Sequence, residues 1–184
     1  MSLTINTTNN RKAVKYSRGE QGKRIVWFIL RPFFICSPRP FFGWRNFLLK
    51  MLGAKIGYGV RIYSSAVIYF PWNLKLGNYS SIGENTLIYN LGLINIGHHV
   101  TISQRAHLCA GSHDYKRKDM LLLKPPINIE DHVWICADAF VGPDVTIHEG
   151  AVIAARAVVV KNVANWEIVG GNPANFIKYR PEPI

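Results

Sequence analysis

The sequence predicts an all-β domain wound as a parallel β-helix of about five coils, with a short helical N-terminal extension and a short C-terminal tail. Three observations carry this. Aliphatic residues recur at every sixth position, without a slip, from Ile129 through Ile135, Val141, Ile147 and Ile153 to Val159. Three upstream runs keep the same step: Ile56, Ile62, Ile68; then Leu76, Ile82, Ile88; then Ile96, Ile102, Leu108. The repeat also lacks the Asn-Gly and Asp-Gly turns that a sandwich of hairpins would need. A helix repeats at 3.6 residues and a strand at two, so a sixfold step belongs to a solenoid. Three hexapeptides close one triangular coil of about eighteen residues, and successive coils stack at strand spacing of roughly 4.8 Å.

The elements follow in chain order. Residues 1–55 form the extension, which holds eleven Lys/Arg and one acidic residue, a net of +10 within the chain's +11. The remaining residues hold eleven basic and ten acidic side chains, so no extended basic surface for nucleic acid is expected. In "KRIVWFILRPFFICSPRPFFGWRNFLLKMLGAK" the basic residues are interleaved with Trp, Phe and Leu. The apolar stretch from Ile25 to Ile35 is too short and too broken by Arg31 and Pro32 to span a bilayer. It reads as a pair of short helices broken between Pro32 and Pro40, packed on the main domain, with peripheral contact to an anionic membrane as the further reading. The polar start "MSLTINTTNNRKAVKYSRGEQGKR" carries no signal-peptide pattern. With three cysteines, this gives the expectation of a reducing cytoplasm, at or away from the inner membrane face.

The β-helix is expected over residues 56–165, with intervals of eight, eight and twenty-one residues between its runs. The eights read as a step of six plus a two-residue bulge. The twenty-one reads as eighteen plus three, with the extra length inside "AGSHDYKRKDMLLLKPPIN" and an active-site loop at about 111–127. Glycine after the aliphatic, as in "IG" at 56, 82 and 96, suits corners with positive φ or tight coil stacking. Residues 166–184 form the tail.

The stretches "SPRPFFGWRNFLLKMLGAKIG", "ISQRAHLCAGSHDY", "VWICADAFVGPDVTIHEGAVIAARAVVVKNV" and "IVGGNPANFI" resemble the hexapeptide-repeat acyltransferases. The resemblance is to the galactoside and maltose acetyltransferases and, more narrowly, to those of colanic-acid-type exopolysaccharide biosynthesis. It implies a left-handed coil, against the right-handed rule for parallel crossovers. It also implies O-acetyl transfer from acetyl-CoA to a sugar hydroxyl, without a metal, in a homotrimer with active sites between subunits.

Candidate residues follow from both sources. His113 lies where the repeat stops, and a neutral imidazole can take the proton of an attacking hydroxyl. Asp114 is a candidate beside the acceptor, and Asp114 or Glu130 could orient the imidazole; the sequence leaves both open. Asn90 occupies the two-residue excess after Ile88 and resembles the family asparagine beside acceptor and histidine. Trp134 precedes inward Ile135 and so points outward, toward the cofactor groove or a neighbouring subunit. Ala137 and Ala155, eighteen apart, match family positions along the pantetheine arm, and Lys161 matches a lysine near the cofactor phosphates. Lys178 and Arg180 follow the "GGNPANFI" motif toward the nucleotide end. Arg156 and Cys136 depart from the small residues usual there.

Other classes fit less well. A metalloenzyme on this scaffold needs three convergent ligands, and the six histidines assemble no such trio. Transfer to an amino sugar or small xenobiotic, and a non-catalytic scaffold, are the remaining alternatives. The trimer expectation predicts sedimentation at three times the 20.8 kDa chain mass at micromolar concentration, and a stable monomer there overturns it.

Overall fold

A computed structural model describes residue 5 and residues 8–182; the first few residues of the extension and the last two of the tail lie outside the described residues. The chain winds as a left-handed parallel β-helix of five coils. Each coil contributes strands of two or three residues to three parallel sheets, the faces of a triangular prism. Face A stacks Lys55–Ile56, Leu74–Leu76, Ile94–Ile96, Ile127–Ile129 and Thr146–Ile147. Face B stacks Arg61–Ile62, Ser81–Ile82, Thr101–Ile102, Trp134–Ile135 and Val152–Ile153. Face C stacks Val67–Ile68, Leu87–Tyr89, His107–Cys109, Phe140–Val141 and Val158–Val159.

The sixfold aliphatics are the inward residue of every strand, and none is more than 8% exposed. They form three columns, one under each face. Burying each such side chain contributes roughly 1.5–3 kcal/mol. Ile96 pairs directly with Ile129, so those two coils are adjacent rungs. The interval of twenty-one therefore corrects to one ordinary step plus a long insertion. The extra chain leaves the wall as an antiparallel hairpin, Ser112–His113 against Leu122–Leu123.

Tight stacking explains the glycines at the corners. A Cβ on Gly83 would sit 2.8 Å from the backbone nitrogen of Gln104 in the next coil. The positive-φ corner positions are filled by Gly59 and Gly150 in two coils and elsewhere by larger residues, including Tyr79, His99, His132, Asp138 and Arg156. Tyr79, His99 and His132 stack ring over ring along one edge, and Tyr58 meets Tyr79 edge-on, at centroid separations of 5.2–5.6 Å.

Three helices precede the coils: α1 (Thr8–Lys12), α2 (Arg18–Ile35) and α3 (Phe42–Met51). Ser17 and Glu20 form a reciprocal capping box at the start of α2. The expected break at Pro32 is corrected: α2 runs through it, because so near the helix end the ring removes only one intrahelical bond, and the Pro32 carbonyl still accepts from Cys36. The break falls between Cys36 and Phe41. Trp27 fastens α2 to face C by donating to the Ile68 carbonyl at 2.9 Å. Leu48, Leu49 and Leu52, in and just after α3, close the open end of the core. At the other end Glu167–Gly170 adds a sixth parallel strand to face B, and Asn175–Tyr179 returns antiparallel over it. Part of the expected tail is thus a strand pair that continues the solenoid.

Arg45 of α3 is fully buried, with no carboxylate partner among the described residues. It donates to the carbonyls of Ile62, Pro38 and Arg39 and to the Ser37 hydroxyl, at 2.6–2.9 Å. Burial lowers its pKa from the ordinary value, yet a guanidinium stays charged. One side chain so joins α3, the α2–α3 connection and the first coil. Arg45→Ala should lower stability by about 3–5 kcal/mol, since it orphans several buried acceptors at once. Denaturant unfolding checks this; a loss below about 1 kcal/mol would show that the junction holds without it.

Candidate active site

The hairpin that carries His113 springs from the edge between faces C and A. Gly111 lets it leave there, since a Cβ would lie 2.8 Å from Leu91 and 3.0 Å from Tyr89. His113 is exposed, and its Nδ1 stands 2.7 Å from the Met120 carbonyl oxygen across the hairpin. A carbonyl only accepts, so this contact requires the proton on Nδ1 and leaves the Nε2 lone pair free. The imidazole is therefore held in one tautomer by a backbone carbonyl. Met120 itself has φ of +50°, which helps turn that carbonyl back across the hairpin.

Neither carboxylate suggested for this task performs it. Asp114 accepts from the backbone of Lys116 and shapes the hairpin tip. Glu130 pairs with His148 at 3.1 Å and accepts from the backbone of Glu149. Asn90 lies at the root of the hairpin but does not reach a groove. It is fully buried, accepting from Phe70 N–H at 3.0 Å and donating to the Phe70 carbonyl at 2.6 Å. The expected acceptor contact is corrected here: both amide atoms are committed to joining two coils.

The cofactor candidates other than Lys161 lie on the other side of the prism. Trp134 stands on face B, 45% exposed, its indole N–H donating to the Ser103 hydroxyl at 3.0 Å. Ala137 and Ala155 stack at the corner between faces B and C, one half-buried and the other exposed. At the equivalent corner position between faces A and B, side chains block the backbone N–H groups: Asn78 caps Tyr58, His98 caps Asn78, and Asp131 caps His98. Among the described hydrogen bonds nothing caps Ala137 or Ala155, so a column of outward donors lines a wall of small residues. Such a wall fits an amide-bearing chain.

Arg156 extends into solvent beside that wall, with its Nε 3.9 Å from Asp138. Asp138 forms a two-pronged pair with Arg105 at 2.7 and 2.8 Å, which holds its carboxyl below the usual range. Lys178 is exposed on the returning strand, opposite Ile168. Arg180 is committed to the coil: it donates to the carbonyls of His132 and Gly150 and lies over the Trp166 ring. Lys161 is exposed at the edge between faces C and A, above the hairpin. In one chain His113 and the alanine column stand at opposite edges of face C.

Several features carry no sequence signal. Met120 acts through its carbonyl, and any residue supplies one. Asn10 of α1 donates to that same carbonyl, and Lys124 of the loop donates to the Lys15 carbonyl and lies 4.5 Å over the Tyr16 ring. The extension thus touches the hairpin that carries His113. His107, on face C, is half-buried against Phe140 with its Nε2 unpartnered, and burial lowers its pKa. Burial raises the thiol pKa of Cys109 and Cys136, which makes both poor nucleophiles. Among the described residues no three His, Cys, Asp or Glu side chains converge as for a metal.

The model of the bacterial transferase hexapeptide family, six repeats, matches residues 126–161. The chain belongs to the hexapeptide-repeat acetyltransferases. A protein of Escherichia coli (strain K12), provisionally named the colanic acid biosynthesis acetyltransferase WcaF, is 42% identical over 159 residues, covering 86% of this chain and 87% of that one. Among solved structures, the hexapeptide-repeat acetyltransferase VCA0836 of Vibrio cholerae O1 biovar eltor, complexed with acetyl coenzyme A, superposes with TM-score 0.82 at 25% identity. The match covers 99% of this chain and 100% of that one. A galactoside acetyltransferase in complex with coenzyme A shares the fold, with TM-score 0.80 at 22% identity, over 96% of this chain and 92% of that one.

Asn90→Ala should lower stability by about 2–4 kcal/mol, because it strands the N–H and carbonyl of Phe70 in the core. Thermal unfolding reads this directly. An unchanged melting temperature would return Asn90 to the acceptor.

Proposed function

We propose that this enzyme moves an acetyl group from acetyl-CoA to a hydroxyl of a sugar in the synthesis of surface or extracellular polysaccharide. The observation that carries the reading is the free Nε2 of His113, fixed by the Nδ1 bond to Met120. The name of the 42% identical relative supports the polysaccharide setting, and the acetyl-CoA complex of VCA0836 supports the donor.

Acetyl-CoA supplies an acetyl thioester. Nε2 takes the hydroxyl proton as the sugar oxygen bonds to the acetyl carbon, and returns it to sulfur as the carbon–sulfur bond breaks. The N–H groups of Ala137 and Ala155 run beside the pantetheine arm, and one of them donates to the acetyl oxygen as that atom gains charge. Trp134 walls the groove, while Arg156, Lys161 and Lys178 meet the anionic end. Arg180 holds the coil that carries them. Asp114 shapes the loop that faces the acceptor.

His113 and the alanine column stand a face apart in one chain, so a complete site needs two copies. The edge between faces C and A of one subunit meets the edge between B and C of the next. A homotrimer closes this arrangement into three equal sites.

His113→Ala should lower kcat for acetyl transfer roughly 10²–10⁴-fold, the usual cost of a lost proton-transfer group. Donor affinity measured by calorimetry and the melting temperature should stay near wild type, because the side chain is exposed and supports no coil. Retention of more than about a third of wild-type kcat would remove His113 from the base role.

A further inference from the structure

Helix α2 is apolar on two opposite sides. Trp27 and Phe34 are buried against the coils. The other side presents Ile25, Phe28, Ile29 and Phe33 to solvent, each 59–78% exposed. Trp44 and Phe47 of α3 stack at 5.9 Å, and the Trp44 indole donates to the Phe33 carbonyl, which continues the surface across both helices. Arg24 and Arg31 border it, lining with Ile25, Phe28 and Tyr69 a cleft of about 520 Å³. This is a contiguous patch of aromatic and aliphatic side chains on the most basic part of the chain. A solvated helix does not hold such a face without a partner.

We propose that this surface docks in the plane of an anionic lipid bilayer. Charge selects the occupant. Residues 1–55 carry a net of +10, so the same patch on a second copy would meet like charge. The rest of the chain is net +1 and has no acidic excess to offer it. Acidic headgroups supply the missing counter-charge, and the rings and aliphatic chains enter the boundary between headgroup and acyl chain. No helix among the described residues is long and apolar enough to cross a membrane, so the contact is peripheral.

The surface also lies beside the catalytic hairpin. Phe70, at the cleft wall, stacks on Tyr16 at 5.6 Å, and Tyr16 sits under Lys124 of the hairpin loop. Tyr69 packs edge-on against Tyr89 at 4.9 Å, the ring next to Gly111. Docking through α2 therefore holds the His113 loop near the bilayer.

The test is flotation of the full chain with vesicles of phosphatidylcholine alone, or with about a third phosphatidylglycerol. It reads no acetyl transfer, so its failure is separate from failure of the catalytic reading. The protein should float with the anionic vesicles and not with the neutral ones, and added salt should release it. Phe28→Ser/Ile29→Ser/Phe33→Ser should weaken partitioning at least about tenfold, with the wild-type oligomer retained in sedimentation. Arg31→Glu, at an exposed side chain, should weaken anionic binding without altering melting. Equal binding to both vesicles, or none to either, overturns the proposal. Dissociation of the oligomer by the triple substitution would overturn it too, by assigning the patch to a second copy.

Discussion

The interior of a triangular coil is only wide enough for small and aliphatic side chains, and the rest of the structure follows from that narrowness. At each level the sixfold aliphatics, one from each face, pack with small or aliphatic neighbours such as Ile94, Ala106 and Val133, and the next level sits one strand spacing above. A charged or aromatic residue at any of these fifteen positions has nowhere to go, which is why the step of six never slips within a run. The same narrowness sends every large or polar intervening side chain of the walls outward or into a corner. Aromatic rings, ion pairs and the chemistry therefore all sit on the outside of the prism, in columns whose members recur from coil to coil. The ends are the weak points, since an open coil exposes its aliphatics. Helix α3 and the strand pair after Glu167 cover them, and Arg45 ties the first cover to the wall.

Holding an imidazole with a carbonyl has a different effect from holding it with a carboxylate. A carboxylate fixes the tautomer and also stabilises the imidazolium by its charge. The Met120 carbonyl fixes the tautomer with a dipole alone. Asn10 donates to the same oxygen, so that dipole is itself fixed from the extension.

The coils were legible because their cause is local and periodic. Outward Trp134, stacked Ala137 and Ala155, and the interruption at His113 all follow from counting. The length of the interruption misled because eighteen is also a coil, and only the pairing of Ile96 with Ile129 separates a coil from a loop. Asn90 misled for a related reason. An asparagine in an irregular step can face out or bridge coils, and the choice depends on the Phe70 backbone, twenty residues earlier in the chain. Arg180 read as a free cation, whereas three groups distant in sequence engage it. The partner of His113 was illegible in principle, because a carbonyl has no letter. The contacts of Asn10 and Lys15 with the loop span most of the chain and have no period to betray them.

The insertion that carries His113 departs after Ala110 and returns before Ile127, while the rungs on either side remain directly stacked. Its length and composition are therefore independent variables of the design. Residues can be gained, lost or exchanged between Ser112 and Leu123 without moving a single inward aliphatic or changing the number of levels. Selection can act on the loop while the walls of the prism stay constant. A scaffold of this kind diversifies as a lathe does, by changing the tool held in a fixed chuck.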